Sequence, residues 1–130
     1  MMKVSKQIKI SLESTGIELI GELYDTPTAK KVWEVLPQSA SVNTWGEEIY
    51  FDIPVTQKLE PTARAKVEVG EIGYWNVGKC MCIFFGRTPA SSGEKPVAAS
   101  PVNIFGKIVG DPKVLKEVSD GDEVRVEQME

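Results

Sequence analysis

Apolar and polar side chains alternate in two neighbouring segments near the start of the chain. Every second residue is apolar from Ile8 to Leu12, and the same pattern repeats in residues 17–23. A period of two places the apolar side chains on one face of a strand. Because the turn-forming sequence Ser14-Thr15-Gly16 separates the segments, we expect a β-hairpin with one buried face.

Short strand patterns continue through the rest of the chain. A segment with helical spacing follows Thr26-Pro27 and ends at Pro37, and Asp111-Pro112 begins a second short helix. Residues 89–101 are rich in Pro, Ser, Ala and Gly and predict a surface loop. The further predicted strands are two within residues 40–55 that bend at Trp45-Gly46, and one each at 65–69, 73–75, 79–85, 102–109 and 123–126.

Two helices and about eight strands predict a mainly β protein. A closed β-barrel capped by helices leaves few strand edges unpaired. The length of 130 residues is typical of one domain, so we expect residues 1–130 to form a single domain. A share of 42% hydrophobic and 26% charged residues is that of an ordinary globular protein.

Charge and hydropathy limit the classes of partner. A net charge of −4 with scattered basic residues argues against nucleic acid, whose binding requires clustered Lys and Arg. The sequence contains no apolar run near the roughly 20 residues that a membrane helix needs. Residues 1–10 carry three lysines and lack the continuous apolar stretch of a signal peptide. We therefore expect a cytoplasmic protein with neither nucleic acid nor membrane as a partner.

The chain lacks the residues that several kinds of catalytic and metal site require. The chain has no His and only two cysteines, Cys80 and Cys82, so a tetrahedral Cys/His metal site cannot be completed within one chain. Nucleophilic catalysis lacks a His base, and residues 70–78 fit neither a dinucleotide fingerprint nor a phosphate loop. We predict no metal and no cofactor, and no catalytic residue is assigned.

Three blocks resemble segments of the cyclophilins in the same chain order. They are Gly21 to Ala29, Cys82-Ile83-Phe84-Phe85, and Ile104 to Gly110. A closer resemblance, to a prokaryotic cyclophilin-like family of unassigned function within the peptidyl-prolyl isomerase superfamily, is carried by residues 42–51, 69–75, 84–89 and 102–108. The resemblance implies a closed cyclophilin-like β-barrel over nearly the whole chain.

The resemblance also implies which residues would catalyse prolyl isomerisation. Cyclophilins use an Arg of a Phe-His-Arg motif, which would fall in residues 42–46, where this chain has no basic residue. Phe85 matches a pocket aromatic, whereas residues 97–102 lack the His and Trp found before Phe105-Gly106. The standard donor is therefore expected to be missing, and Asn43 or Arg87 would be the donors of a relocated site.

Polar and aromatic residues suggest a groove on the barrel. Glu47 shares a predicted strand face with apolar residues, where its carboxylate either faces a ligand or pairs with a Lys at the rim. Of the adjacent Phe84 and Phe85, one should point outwards, and the resemblance favours Phe85. Large rings at strand ends cap a core or face a groove. The predicted ligand-binding residues are Asn43, Trp45, Glu47, Tyr74, Trp75, Phe85 and Asn103.

The expected function is binding of a small molecule or a proline-containing peptide in this groove. Two alternatives remain open at the level of the sequence. One is a peptidyl-prolyl isomerase with a relocated site, and the other is a structural or partner-binding module, favoured if the aromatic side chains are buried.

Overall fold

The computed structural model describes residues 4–129, so residues 1–3 and 130 of the predicted domain lie outside the described residues. The elements are β1 (Val4–Leu12), β2 (Ile17–Tyr24), α1 (Pro27–Val35), β3 (Gln38–Ser41), β4 (Asn43–Thr44), β5 (Glu48–Asp52), β6 (Arg64–Lys66), β7 (Glu71–Trp75), β8 (Cys80–Phe84), β9 (Val97–Val109), a 3₁₀ helix (Pro112–Glu117) and β10 (Glu123–Gln128). The predicted mainly β class with two short helices is confirmed.

The hairpin predicted from the alternation is formed by β1 and β2. Ile8 pairs with Gly21 and Ile10 pairs with Leu19 in an antiparallel register. Ile8 and Ile10 are fully buried, whereas the residues that alternate with them reach the surface. Burial of one face therefore determines the register of the hairpin, because a slip of one residue would expose every apolar side chain.

The strands pair antiparallel in the order β3-β10-β1-β2-β9-β7-β8-β5-β4, and β6 pairs with β9. Within the described residues there are ten strands rather than about eight, and hydrogen bonds between the end strands do not close the sheet as predicted. The chain instead passes from β3 directly into β4 through Val42, whose backbone bonds to the turn before β10: its N–H donates to the Asp122 carbonyl at 2.8 Å. Among residues 4–129, no helix is long and apolar enough to cross a membrane.

Alternation along β8 divides its side chains between two apolar clusters. Met81 and Ile83 lie in the main core, which the curved sheet forms with helix α1. Cys82 and Phe84 lie in a smaller cluster on the outer face of the sheet. We call this second group the outer cluster; its buried members are Val67, Cys80, Cys82, Phe84, Ala98, Val102 and Ile104.

Both residues of the Phe84-Phe85 pair are buried, and the prediction that Phe85 is the one that points outwards is wrong. Phe84 points outwards but is covered by the outer cluster, and Phe85 packs in the main core. The cover exists because β9 begins at Val97 rather than at Val102. Part of the predicted loop is therefore strand, and it brings Ala98 over the outer face.

Asn103 anchors the segment that follows β5. The side chain is fully buried. Its Oδ1 accepts from the backbone N–H of Glu60 at 2.8 Å, and its Nδ2 donates to the Lys58 carbonyl at 2.9 Å and to Thr28 Oγ1 at 3.1 Å. Thr28 in turn donates to the Glu60 carboxylate through its backbone N–H at 3.0 Å. One amide thus ties residues 58–60 to helix α1.

We expect Asn103→Ala to lower the free energy of unfolding by roughly 2–4 kcal/mol, because it leaves several buried polar groups without partners. Urea unfolding measures the loss. The matched control is Asn43→Ala at an exposed position, which should change stability by less than about 0.5 kcal/mol. Equal effects of the two substitutions would contradict the anchoring role of Asn103.

Candidate functional site

A cavity of about 180 Å³ opens beside the outer cluster, on the face of the sheet opposite the main core. We call it the outer cavity. Its walls combine three aromatic side chains with three small apolar ones and two polar groups. The lining residues are Trp45, Tyr50 and Trp75; Ala98, Ala99 and Val102; and Glu48 and Cys82.

A tight turn at the start of β5 fixes Trp45 and Glu48. The Trp45 N–H donates to the Glu48 carbonyl at 2.9 Å. Gly46 within the turn has φ of +60°, a region that favours glycine, and a Cβ there would lie 2.9 Å from the Arg87 carbonyl oxygen. A side chain at position 46 would therefore push the turn away from residues 87–89 and displace both lining residues.

Glu47 lies between these two residues but does not line the cavity. Its N–H donates to the Arg87 carbonyl at 2.7 Å, and its carbonyl accepts from the Phe85 N–H at 2.9 Å. Its Oε1 accepts from the Arg87 N–H at 3.2 Å. The carboxylate thus binds the backbone after β8, which gives Glu47 a partner other than the lysine expected from the sequence.

Trp75 is held from two sides. Its Nε1 donates to Ser100 Oγ at 2.7 Å. Gly78 packs against the ring so closely that a Cβ at that position would lie 2.7 Å from Cζ3 of Trp75. Because the indole N–H is satisfied and the ring cannot shift towards Gly78, the side chain forms a fixed wall of the cavity.

Glu48 is the polar residue of the cavity wall whose hydrogen-bonding capacity is not fully used. The residue is 5% exposed, and within residues 4–129 its Oε1 has no hydrogen-bond partner. Burial raises the pKa of this carboxyl to about 7, and the nearby Cys82 thiol opposes the shift more weakly. A buried carboxyl with one unpartnered oxygen, in the wall of a cavity and with a perturbed pKa, has the features of a functional site.

The thiols beside Glu48 are not suited to nucleophilic chemistry. Burial raises the pKa of Cys82 well above its usual value, and the Glu48 carboxyl adds to this effect. Burial also raises the pKa of Cys80 to about 12, with a further contribution from Asp52. Both thiols therefore stay protonated and unreactive near neutral pH. The described part of the chain brings no three His, Cys, Asp or Glu side chains together as a metal site.

The structure brings only two of the seven predicted ligand-binding residues to the outer cavity, Trp45 and Trp75. Tyr74 lies in the main core, where its hydroxyl donates to the Val55 carbonyl, and Phe85 lies there too. Asn43 borders a separate shallow groove near the ends of β3 and β5. Glu47 and Asn103 bind backbone groups, as described above.

The sequence analysis missed Glu48, Tyr50 and Cys82, and the cavity-lining residues of β9, which are Ala98, Ala99 and Val102. Glu48 and Tyr50 share one face of β5, and Cys82 pairs with Tyr50 on the neighbouring strand. The alternation Glu48-Tyr50-Asp52 reads as a solvated face, so only the strand that covers this face could have revealed the cavity. The first part of β9, which forms this cover, was not predicted as a strand, because Pro96, Pro101 and the small residues between them predict a loop.

Comparisons with known proteins agree with this fold. The family model described as cyclophilin-like matches residues 6–127. The solution structure of a hypothetical protein from Archaeoglobus fulgidus is similar, with a TM-score of 0.81 and 39% sequence identity over 97% of this chain and 96% of that chain. A search of curated proteins gave no match.

We expect Glu48→Gln to change how stability depends on pH. In the parent the pKa rises from 4.5 in the unfolded chain to about 7 in the folded protein. The folded state thus binds the proton more tightly, and stability falls as the pH rises from about 4.5 past 7. A neutral amide cannot be deprotonated, so the variant should gain up to roughly 3 kcal/mol over the parent across this range.

Urea unfolding between pH 4.5 and pH 8 measures this difference. Glu18→Gln is the control, because Glu18 is an exposed residue of β2. Its difference from the parent should stay constant across the range. A constant difference for Glu48→Gln as well would mean that the carboxyl is not buried in the way described.

Proposed function

The chain belongs to the cyclophilin-like family, and from this premise we propose that it binds a small or peptide-like ligand in the outer cavity without the arginine-based chemistry of the prolyl isomerases. The observation that carries the proposal is the Glu48 carboxyl, buried and partly unpartnered in a wall that aromatic side chains complete. Leaving such a group unsatisfied is costly. A ligand that supplies a hydrogen-bond donor or a positive charge would remove that cost.

The composition of the cavity supports a ligand site. Sites for small molecules are concave and mostly apolar, with a few polar groups that orient the ligand. Here the aromatic and aliphatic side chains outnumber the two polar ones. Trp75 and the turn at Gly46 are rigidly held, so the site is preformed and little ordering would accompany binding.

The volume limits the size of what can enter. An apolar cavity of about 150 Å³ accepts a molecule of the size of benzene. The 180 Å³ of the outer cavity therefore suits a group of roughly six to eight heavy atoms. Such a group is either a small molecule or one side chain of a larger peptide.

Prolyl isomerisation is the second candidate, because the family membership favours it. Catalysis must lower a barrier of roughly 18–20 kcal/mol, for which cyclophilins use a cationic donor beside the proline. The residues that line the outer cavity include no Lys or Arg. Arg87 and Asn43, the donors considered from the sequence, are exposed and do not line it. These positions favour binding over isomerisation.

The proposal includes a cytoplasmic location and a single domain over the chain. The two cysteines are free thiols, which is typical of a reducing compartment. The net charge of −4 disfavours nucleic acid as the partner.

We expect NMR to detect small fragments that bind the parent protein and are excluded by Ala99→Leu. Ala99 lines the cavity and is exposed, so a larger side chain there fills the opening without entering the main core. Ala90→Leu, at an exposed alanine that does not line the cavity, is the matched control and should keep binding. Exchange spectra of X-Pro peptides in the same samples should show no faster cis/trans interconversion, with a standard cyclophilin as the positive control.

Fragments that bind all three proteins equally would place the site elsewhere. Faster peptide exchange in the parent, lost in Ala99→Leu, would instead establish the isomerase.

A further inference from the structure

The aromatic side chains of the outer cavity come from three separate parts of the sheet. Trp45 precedes β5, Tyr50 lies within β5, and Trp75 ends β7. Aromatic faces carry negative potential and attract cations within about 6 Å of the ring centre. Three rings line this one small cavity. Rings whose faces meet a bound cation stabilise its charge more than they stabilise a neutral group of the same shape.

The ionisable side chains in the wall of the cavity are all acidic groups. Glu48 contributes a carboxyl to the wall, and the lining residues include no Lys or Arg that could neutralise it. A second carboxylate lies beside the residue that precedes Trp45: Asp120 Oδ1 accepts from the N–H and the hydroxyl of Thr44, at 2.6 and 2.8 Å. Burial raises the pKa of Tyr50, and nearby acidic groups, among them the Glu48 and Asp120 carboxyls, add to this effect. The local potential therefore favours a cation.

We propose that the natural ligand presents a small organic cation, an amine or an alkylammonium group, which enters between Trp45, Tyr50 and Trp75 and pairs with the Glu48 carboxylate. This inference rests on the proposed function and names the ligand class for the same cavity. The pairing gives the buried carboxylate its missing partner, and the rings contact the methyl or methylene groups that surround the nitrogen.

Size agrees with this ligand class. A trimethylammonium group attached to a short chain has about seven heavy atoms, close to the capacity derived from the cavity volume of about 180 Å³. A neutral branched alcohol of the same shape fits equally well. The difference between the two molecules therefore isolates the contribution of charge.

The test compares choline with 3,3-dimethylbutan-1-ol, in which a carbon replaces the charged nitrogen. Tetramethylammonium and butylammonium serve as smaller and linear cations. Titrations at pH 8 follow tryptophan fluorescence in a Trp33→Phe background. The chain has three tryptophans, and the two that remain both line the cavity.

We expect at least one of the cations to bind, and choline to bind at least about tenfold more tightly than the alcohol. Glu48→Gln should weaken binding of the cations by at least about tenfold and leave that of the alcohol unchanged. Glu18→Gln should alter neither. Circular dichroism confirms that each variant is folded.

Two results would overturn the inference, and they differ in whether the proposed function also fails. If the alcohol binds as tightly as the cations, or if Glu48→Gln has no effect, the ligand is not a cation but the cavity remains a binding site. If neither the cations nor the alcohol nor any fragment sensitive to Ala99→Leu binds, the inference and the proposed function both fail.

Discussion

Burial of the central strands on both faces is the constraint on which the rest of the structure depends. Every residue of β8 is buried, and alternation sends its side chains to the main core or to the outer cluster. The outer face needs a cover, which the first part of β9 supplies together with Val67. The cover is incomplete beside Trp75, and the outer cavity lies at that gap.

The same alternation explains why one carboxyl is buried in this gap. β5 begins at Glu48, which pairs with Phe84 of β8 and thus shares the outer face with Tyr50. Glu47, one residue earlier, points to the backbone after β8 and finds its partner there. Two adjacent glutamates therefore have different environments, because successive side chains point to opposite faces. The Glu47 carboxylate meets a backbone N–H, whereas Glu48 Oε1 meets no donor within the described residues.

The alternation of apolar and polar residues was sufficient to predict strands that have one face in solvent. The β1–β2 hairpin follows from Ile8 and Ile10, and Pro27 and Pro37 bracket helix α1. The resemblance blocks gave the family. The pattern failed at β9, because Ser100-Pro101 within a strand has the composition of a loop.

The candidate site was only partly predictable for a related reason. Trp45 and Trp75 were predicted as large rings at strand ends, and both line the cavity. Phe85 and Tyr74 are also large rings at strand ends, but they face the main core. Near the bends, the face to which a side chain points is set by the pairing of the strands rather than by the local sequence. Asn103 was predicted as a polar group of the groove, but its side chain binds backbone groups of residues 58–60 instead.

The proposed ligand chemistry depends on burial of the Glu48 carboxyl in the wall of the outer cavity, with its Oε1 unpartnered within the described residues. Its pKa can be measured directly by following the side-chain carboxyl ¹³C resonance of Glu48 by NMR as a function of pH. Burial of this kind predicts a midpoint of about 7, moving lower when a cation occupies the cavity. A midpoint close to the ordinary value of 4.5, unchanged by added cations, would contradict it.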